Sequence, residues 1–312
     1  MGLSKKIAKT RLFSDVEILE SNLADWEDVV HPTELSPERF DILRERLKST
    51  EAGPPVRMLP TMLQCLGGIK ESLRSLDENP PAPKTRVREE FLFEIEETAL
   101  ALGASSIGYT KLPPRWVFQD KAVLFDNAII LSMEMDKDGI DSAPSIACMK
   151  TVMETYRDLG RVANQLAGLL RNRGFGAHAG HPLNGVALYP PLAQMAGLGW
   201  MGLNGIIVTP EHGPRVRLAA VFTSIENLPF SESNDHAWVA EYCESCKICI
   251  KKCPPRALFG APIDHGDGRY TYVENELCFP YFNKYHGCSV CVAVCPFNHI
   301  PYQKIKAGHE EI

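Results

Sequence analysis

The sequence predicts a mixed α/β (α+β) domain over residues 86–228, with a helical N-terminal extension before it and a small cysteine-rich domain after it. Three observations carry this reading. Apolar residues switch between helical and strand spacing through the middle of the chain. A proline-rich break, Asn79-Pro80-Pro81-Ala82-Pro83, separates that region from what precedes it. Eight of the ten cysteines lie beyond residue 240.

Residues 1–85 form the extension and linker, with short helical-looking pieces such as PERFDILRERLK and MLQCLGGIKESLRSL. From Val87 an amphipathic helix is expected, because Phe91, Ile95 and Leu102 follow helical spacing and Gly103 supplies a stop. AIILSMEM, from Ala128 to Met135, reads as a buried strand. The clearest helix follows, with Val152, Tyr156, Leu159, Ala163, Leu166 and Leu170 on one stripe, and ends near Gly174. GFGAHAGHPLNG reads as a loop carrying His178, His181 and Asn184. IIVT and VRLAAVFT, at 206–209 and 216–223, read as strands joined by a turn at Gly213-Pro214.

Composition bounds the function. The chain of 312 residues is 45% hydrophobic and 23% charged, with a formal charge of −6, so nothing electrostatic asks for a polyanionic partner and nucleic acid is not expected. MGLSKKIAKTRLF has neither the apolar run of a secretory leader nor a twin arginine. No window of about 18 apolar residues could cross a bilayer. A cytoplasmic, non-membrane location is expected, where thiols stay reduced and ten cysteines suggest metal ligation before disulfides.

CESCKICIKKCP places Cys243, Cys246, Cys249 and Cys253 at the spacing C-x2-C-x2-C-x3-C-P. Cys278 then precedes GCSVCVAVCPF, which holds Cys288, Cys291 and Cys295. Three thiolates on a tight loop can grip three irons of a cubane, while the fourth points toward a second cluster. The expected result is a ferredoxin-like domain over 229–312 with two [4Fe-4S] clusters. Cys243, Cys246, Cys249 and Cys295 hold one, and Cys253, Cys278, Cys288 and Cys291 the other. Structural zinc would need two C-x2-C pairs per site and gives no role to the x3-C-P ending. Cys65 and Cys148 stand alone and read as small buried hydrophobes.

AGLGWMGLNG, residues 196–205, contains G-x-G-x-x-G. A dinucleotide site needs a strand before these glycines and a helix after them. Here YPPLAQMA reads as a helix before them and strands follow, so a Rossmann site is excluded. The glycines serve a tight turn, or let backbone approach something large and flat.

AGLGWMGLNGIIVTPEHGPRVRLAAVFT followed by the double cysteine array resembles the cobalamin-dependent iron–sulfur reductases, which include reductive dehalogenases and epoxyqueuosine reductases. The resemblance covers approximately residues 86–300. It implies a nitroreductase-like domain cradling a corrinoid (cobalamin), fed by the two-cluster domain in an anaerobic oxidoreductase. Gly197, Leu198, Gly199, Trp200, Gly202, Asn204 and Gly205, with Arg215, would lie against the corrin or its nucleotide tail. Carried over from the dehalogenases, the proton-donating tyrosine falls on Tyr156 and its polar companions on Asn184 and Arg217. A fixed cation at Arg217 would stabilise a phenolate or receive departing halide.

Tyr156 also suits a core tyrosine, Arg215 and Arg217 suit a carboxylate or phosphate, and Asn184 suits a turn before Gly185. Respiratory dehalogenases usually show Asn-Asp where this chain has Asn184-Gly185. Epoxyqueuosine reductases carry an aspartate where Leu183 and Asn184 stand, a lysine at the place of Leu203, and a tRNA-gripping helical repeat where this sequence stops at Ile312. The reading is therefore a cytosolic, dehalogenase-like reductase of a small molecule, breaking a carbon–halogen or other carbon–heteroatom bond with electrons from a flavodoxin or ferredoxin. The alternatives are an iron–sulfur electron-transfer protein and a corrinoid-activating protein, neither turning over a small molecule.

Overall fold

The computed structural model describes residues 56–118 and 121–311. The helical piece expected at PERFDILRERLK lies outside these residues. The first helix, α1 (Leu59–Arg74), was assigned from sequence to the N-terminal extension. It lies against the domain core, burying Cys65, Ile69 and Ser72, and the Ser72 hydroxyl donates to Asn164 Oδ1 at 2.8 Å. After the proline run come α2 (Glu89–Ala101), β1 (Ser106–Lys111) and β2 (Asn127–Glu134). The short α3 (Lys137–Asp141) is capped by Asp136, whose carboxylate accepts from the Gly139 N–H.

The helix α4 (Ile146–Asn172) has 27 residues and is therefore about 40 Å long. Ser145 caps it by accepting from the Cys148 N–H at 3.0 Å. Leu159, Leu166 and Leu170 are fully buried, worth about 1.5–3 kcal/mol each, whereas Val152 and Tyr156 near its start are half-buried. The stripe read from sequence thus serves two surfaces, core in its second half and something more open in its first.

Next come β3 (Ala177–Gly180), α5 (Tyr189–Met195), β4 (Trp200–Met201), β5 (Ile207–Val208) and β6 (Val216–Thr223). The main sheet has the order β1-β2-β6-β3 with every pair antiparallel. Side chains alternate across it as strand geometry requires. Ile129, Leu131, Ala219 and Val221 pack with α2 and α4 on one face, and Ala128, Ile130, Ala220 and Phe222 pack with α5 on the other. The mixed α/β expectation holds, with an antiparallel sheet between helical layers.

IIVT and VRLAAVFT supply strands joined by a turn, as expected, with Thr209 and Gly213 bridging across it; β5 pairs with β4, and β6 lies in the main sheet between β2 and β3. One expectation needs correction. GFGAHAGHPLNG is not all loop, because Ala177–Gly180 form β3 and pair with β6.

The cysteine-rich part consists of α6 (Trp238–Cys246), α7 (Ile248–Lys252), β7 (Leu258–Asp264), β8 (Tyr270–Val273), α8 (Asn275–Lys284), α9 (Val290–Ala293), α10 (Pro296–His299) and α11 (Tyr302–Glu310). Polar ties fasten it to the main domain. Asn298 Nδ2 donates to Asp141 Oδ1 at 2.6 Å, and Asn204 Nδ2 donates to the Cys291 carbonyl at 3.3 Å.

Candidate active site and cysteine sets

Residue parity places Arg217 on the α4 side of β6, with Ala219 and Val221. There its guanidinium carbon lies 4.7 Å from the centroid of the Tyr156 ring, a cation–π arrangement. Both side chains line a cavity of about 370 Å³, with Phe118, Tyr189, Ile206 and Leu218 among the other walls, a size typical of small-molecule sites. Among the described residues no carboxylate, imidazole or thiol lines it. Arg217 Nε is buried without a hydrogen-bond partner, so a donor is held ready at the cavity wall.

Asn184 sits between the lining residues Pro182 and Gly185, and its Oδ1 accepts from Lys121 Nζ at 3.1 Å. Lys121 is only 5% exposed. Its place beside the site carries no signature in sequence, since a lone lysine is read as surface by default. Phe118, Tyr189 and Leu218 were likewise not singled out, being ordinary core residue types.

The two loop histidines belong to the packing. His178 and His181 are buried at 1% and 2% exposure, and neither lines the cavity. Burial, helped by the charges of Arg171 and Lys121, holds His178 down to about 4. Burial alone does the same for His181, also to about 4. His181 Nδ1 accepts from the Leu183 N–H at 3.1 Å, anchoring the loop that carries Asn184. Its ring fills the space a side chain at Gly160 would need, since a Cβ there would meet Nε2 at 2.1 Å.

The glycine stretch mainly turns and packs. Gly197 follows α5 at φ 75°. Gly199 lies so close to the Val208 carbonyl that a Cβ would meet its oxygen at 2.2 Å, which lets β4 pair with β5. Leu198 is in the core beneath the sheet, and Trp200 packs with Trp238 beside Cys295. Gly202 donates its N–H to the Ile206 carbonyl at 2.9 Å, and Asn204 binds the Cys291 carbonyl. Of the stretch, only Gly205 lines the cavity. Arg215 is engaged by Glu134 Oε1 at 2.5 Å and the Met135 carbonyl at 3.2 Å.

The array cysteines lie close enough to one another to raise each other's thiols. Burial and the nearby thiols of Cys243, Cys249 and Cys246 push the Cys295 thiol well above its usual range. Burial pushes Cys291 up to about 12, with Cys288, Cys249, Cys278 and Cys253 adding to it. Cys253 in turn raises Cys288. Thiols of both arms therefore act on one another, Cys243, Cys246 and Cys249 on Cys295, and Cys249 and Cys253 on Cys291. The loops that bring them there turn through left-handed residues, Lys247 in the first arm and Cys288 and Ser289 in the second. Among the described residues no three ligating groups converge on a single-ion site. The donor chemistry, eight thiols on neighbouring short segments, fits iron–sulfur cubanes. Cys65 and Cys148 are fully buried.

Cys291 packs against the same small apolar cluster as Val152 and Ile206, and Ile206 also lines the cavity, whereas Cys243 and Cys295 belong to a different cluster with Val208, Trp200 and Trp238.

A tetrachloroethene reductive dehalogenase of Desulfitobacterium hafniense is 32% identical over 216 residues, 64% of this chain and 37% of that protein. An epoxyqueuosine reductase of Listeria monocytogenes is 30% identical over 114 residues, 34% of this chain and 28% of its own length. The homologues of this chain are reductive dehalogenases and epoxyqueuosine reductases. Both kinds are reductases, hence oxidoreductases. A catabolic reductive dehalogenase solved with 3-bromo-4-hydroxybenzoic acid shares the fold, with a TM-score of 0.64 at 19% identity, over 79% of this chain and 38% of that one. The chain spans little more than a third of the reductive dehalogenases it matches. No protein-family model matches it. Among the described residues no helix is long and apolar enough to cross a membrane.

Proposed function

We propose that the protein is a cytosolic, corrinoid-dependent iron–sulfur reductase of the reductive dehalogenase kind, acting on a small organohalide or a related carbon–heteroatom compound. The observation that carries this reading is the Tyr156–Arg217 pair on the wall of a cavity, one of whose lining residues, Ile206, packs against the same apolar cluster as Cys291. The corrinoid, when bound, supplies low-valent cobalt, a two-electron reductant able to break a carbon–halogen bond. The cavity suits a metal that brings its own ring of ligands, because its walls offer no competing thiol, imidazole or carboxylate.

In this reading the Tyr156 hydroxyl holds the proton that replaces the leaving group, so that R–X, two electrons and one proton give R–H and X⁻. Arg217 lies against the ring, stabilises the phenolate left behind and offers its free Nε–H to the departing anion. Lys121 orients Asn184 by occupying its carbonyl oxygen, which leaves the amide N–H groups available to substrate. The apolar walls keep water from the reacting carbon. Cys243, Cys246, Cys249 and Cys295 hold the outer [4Fe-4S] cluster. Cys253, Cys278, Cys288 and Cys291 hold the one nearer the cavity. Clusters of this type reach potentials of about −700 mV, low enough to serve such chemistry.

The chain's mild acidity supports a small molecule over tRNA as substrate. The test is halide release from chlorinated ethenes and halophenols by the reconstituted protein under anaerobic conditions, with reduced methyl viologen as donor. Turnover in the native protein that is lost in Tyr156→Phe at unchanged cofactor content is expected. Equal turnover in the variant would remove Tyr156 from the mechanism.

A further inference from the structure

The segment from Ser245 to Ile263 carries four cations, Lys247, Lys251, Lys252 and Arg256, and no carboxylate, in a chain whose formal charge is −6. These cations are interleaved with the cluster cysteines: Lys247 follows Cys246, Lys251 and Lys252 lie between Cys249 and Cys253, and Arg256 follows Cys253. In the proposed ligand sets α7 is a bridge, because Cys249 belongs to one set and Cys253 to the other.

Lys251, Lys252 and Arg256 are exposed, and Cys246, Cys249 and Cys253 lie half-buried beneath them. The Lys251 N–H donates to the Lys247 carbonyl, so these two cations are held one turn apart in the backbone. Among the described residues none of the four cations is in an ion pair. Glu244, exposed before Cys246, is the nearest carboxylate in sequence. A patch of uncompensated cations is thus interleaved with half-buried cysteines of both proposed sets, on a protein whose formal charge is −6.

We propose that this basic face is the docking surface for a small acidic one-electron carrier protein, which delivers electrons to the clusters at this point. It rests on the iron–sulfur reading of the cysteines and is independent of the substrate. In each encounter one electron leaves the reduced carrier and enters a cluster. The carrier is oxidised and the cluster reduced by one electron each, and no bond is made or broken. Complementary charge raises the association rate and is screened by salt, so the encounter is fast at low ionic strength and slows as salt is added.

The test uses the full-length reconstituted protein and an acidic flavodoxin. Its hydroquinone form reduces the clusters in a stopped-flow experiment read by loss of cluster absorbance, and its oxidised form is used for binding by calorimetry. The double variant Lys251→Glu/Lys252→Glu is expected to slow flavodoxin-dependent reduction and weaken flavodoxin binding, each by about tenfold or more at low salt. Reduction by methyl viologen should stay at the native rate. Arg256→Glu should act in the same direction with a smaller effect.

Native rates and affinity in the double variant would overturn the proposal. Equal slowing with both reductants would also overturn it, because the lysines would then be tuning the clusters themselves. Tight binding of a tRNA transcript to the native patch, with flavodoxin ignored, would assign the surface to a nucleic acid instead. A protein that forms no cluster absorbance on reconstitution would fail before any carrier is added, which separates the failure of the cysteine reading from the failure of docking.

Discussion

Arg217 on β6 covers one face of the Tyr156 ring from α4, its guanidinium carbon 4.7 Å from the ring centroid. The two elements are held at this spacing by the core between the sheet and α4, so the cation is positioned before any ligand arrives. Arg217→Met removes both charge and donor and should lower turnover about 10²–10³-fold at unchanged cofactor content, as loss of one preorganised electrostatic contact does. Arg217→Lys keeps the charge and loses the planar stacking, so an intermediate rate is expected. Halide release measured beside iron and cobalt content checks both.

Lys121 donates to Asn184 Oδ1 from a nearly buried position. Replacing it with Met leaves that oxygen without its charged donor and should cost about 1.5–3 kcal/mol of stability. The urea midpoint reads the loss. Asn184→Ala in the Lys121→Met background should add little further cost, since the two act as one unit.

The crossed cysteine sets make a sharp prediction. If Cys295 joins the first arm as proposed, the double variant Cys243→Ser/Cys295→Ser disables one cluster and should retain about four irons per chain. If each arm instead held its own four thiols, the same variant would damage both clusters and retain almost none. The pair Cys243→Ser/Cys253→Ser gives the opposite pattern. Iron analysis after anaerobic reconstitution distinguishes them.

Stability should fall on acidification through the histidines. His178 and His181 are held down to about 4 in the folded state, against about 6.5 when free. Between those values the unfolded chain binds more protons, so stability is lost as pH drops through this window and is unaffected by these rings above it. The expected loss by about pH 5 is on the order of 2 kcal/mol per ring. His181→Asn, which keeps an acceptor for the Leu183 N–H, should flatten its share of the curve, as should His178→Gln. Urea midpoints across pH read the effect.

Much of this architecture was legible in the residues because periodicity was strong. The strand read as 128–135 spans Asn127–Glu134, and VRLAAVFT is a strand over the expected 216–223. The order of helix, glycines and strand that excludes a dinucleotide site is also as read. β3 was missed because AHAG has none of the β-branched residues that signal a strand. It is small for a packing reason: a Cβ at Gly180 would meet the Tyr189 hydroxyl at 2.3 Å. The Tyr156–Arg217 pairing was suggested by resemblance, and the contact itself depends on how α4 crosses the sheet. Lys121 lay beyond reach, since burial of a single lysine is set by tertiary packing alone.

The most direct test of the account is the metal content after anaerobic reconstitution with iron, sulfide and hydroxocobalamin, read by iron and cobalt analysis with EPR. The account predicts about eight irons and about one cobalt per chain, with a Co(II) signal lacking a lower nitrogen ligand. About eight irons with no cobalt would contradict it, and would leave the cavity around Tyr156 and Arg217 without the reductant that its proposed chemistry requires.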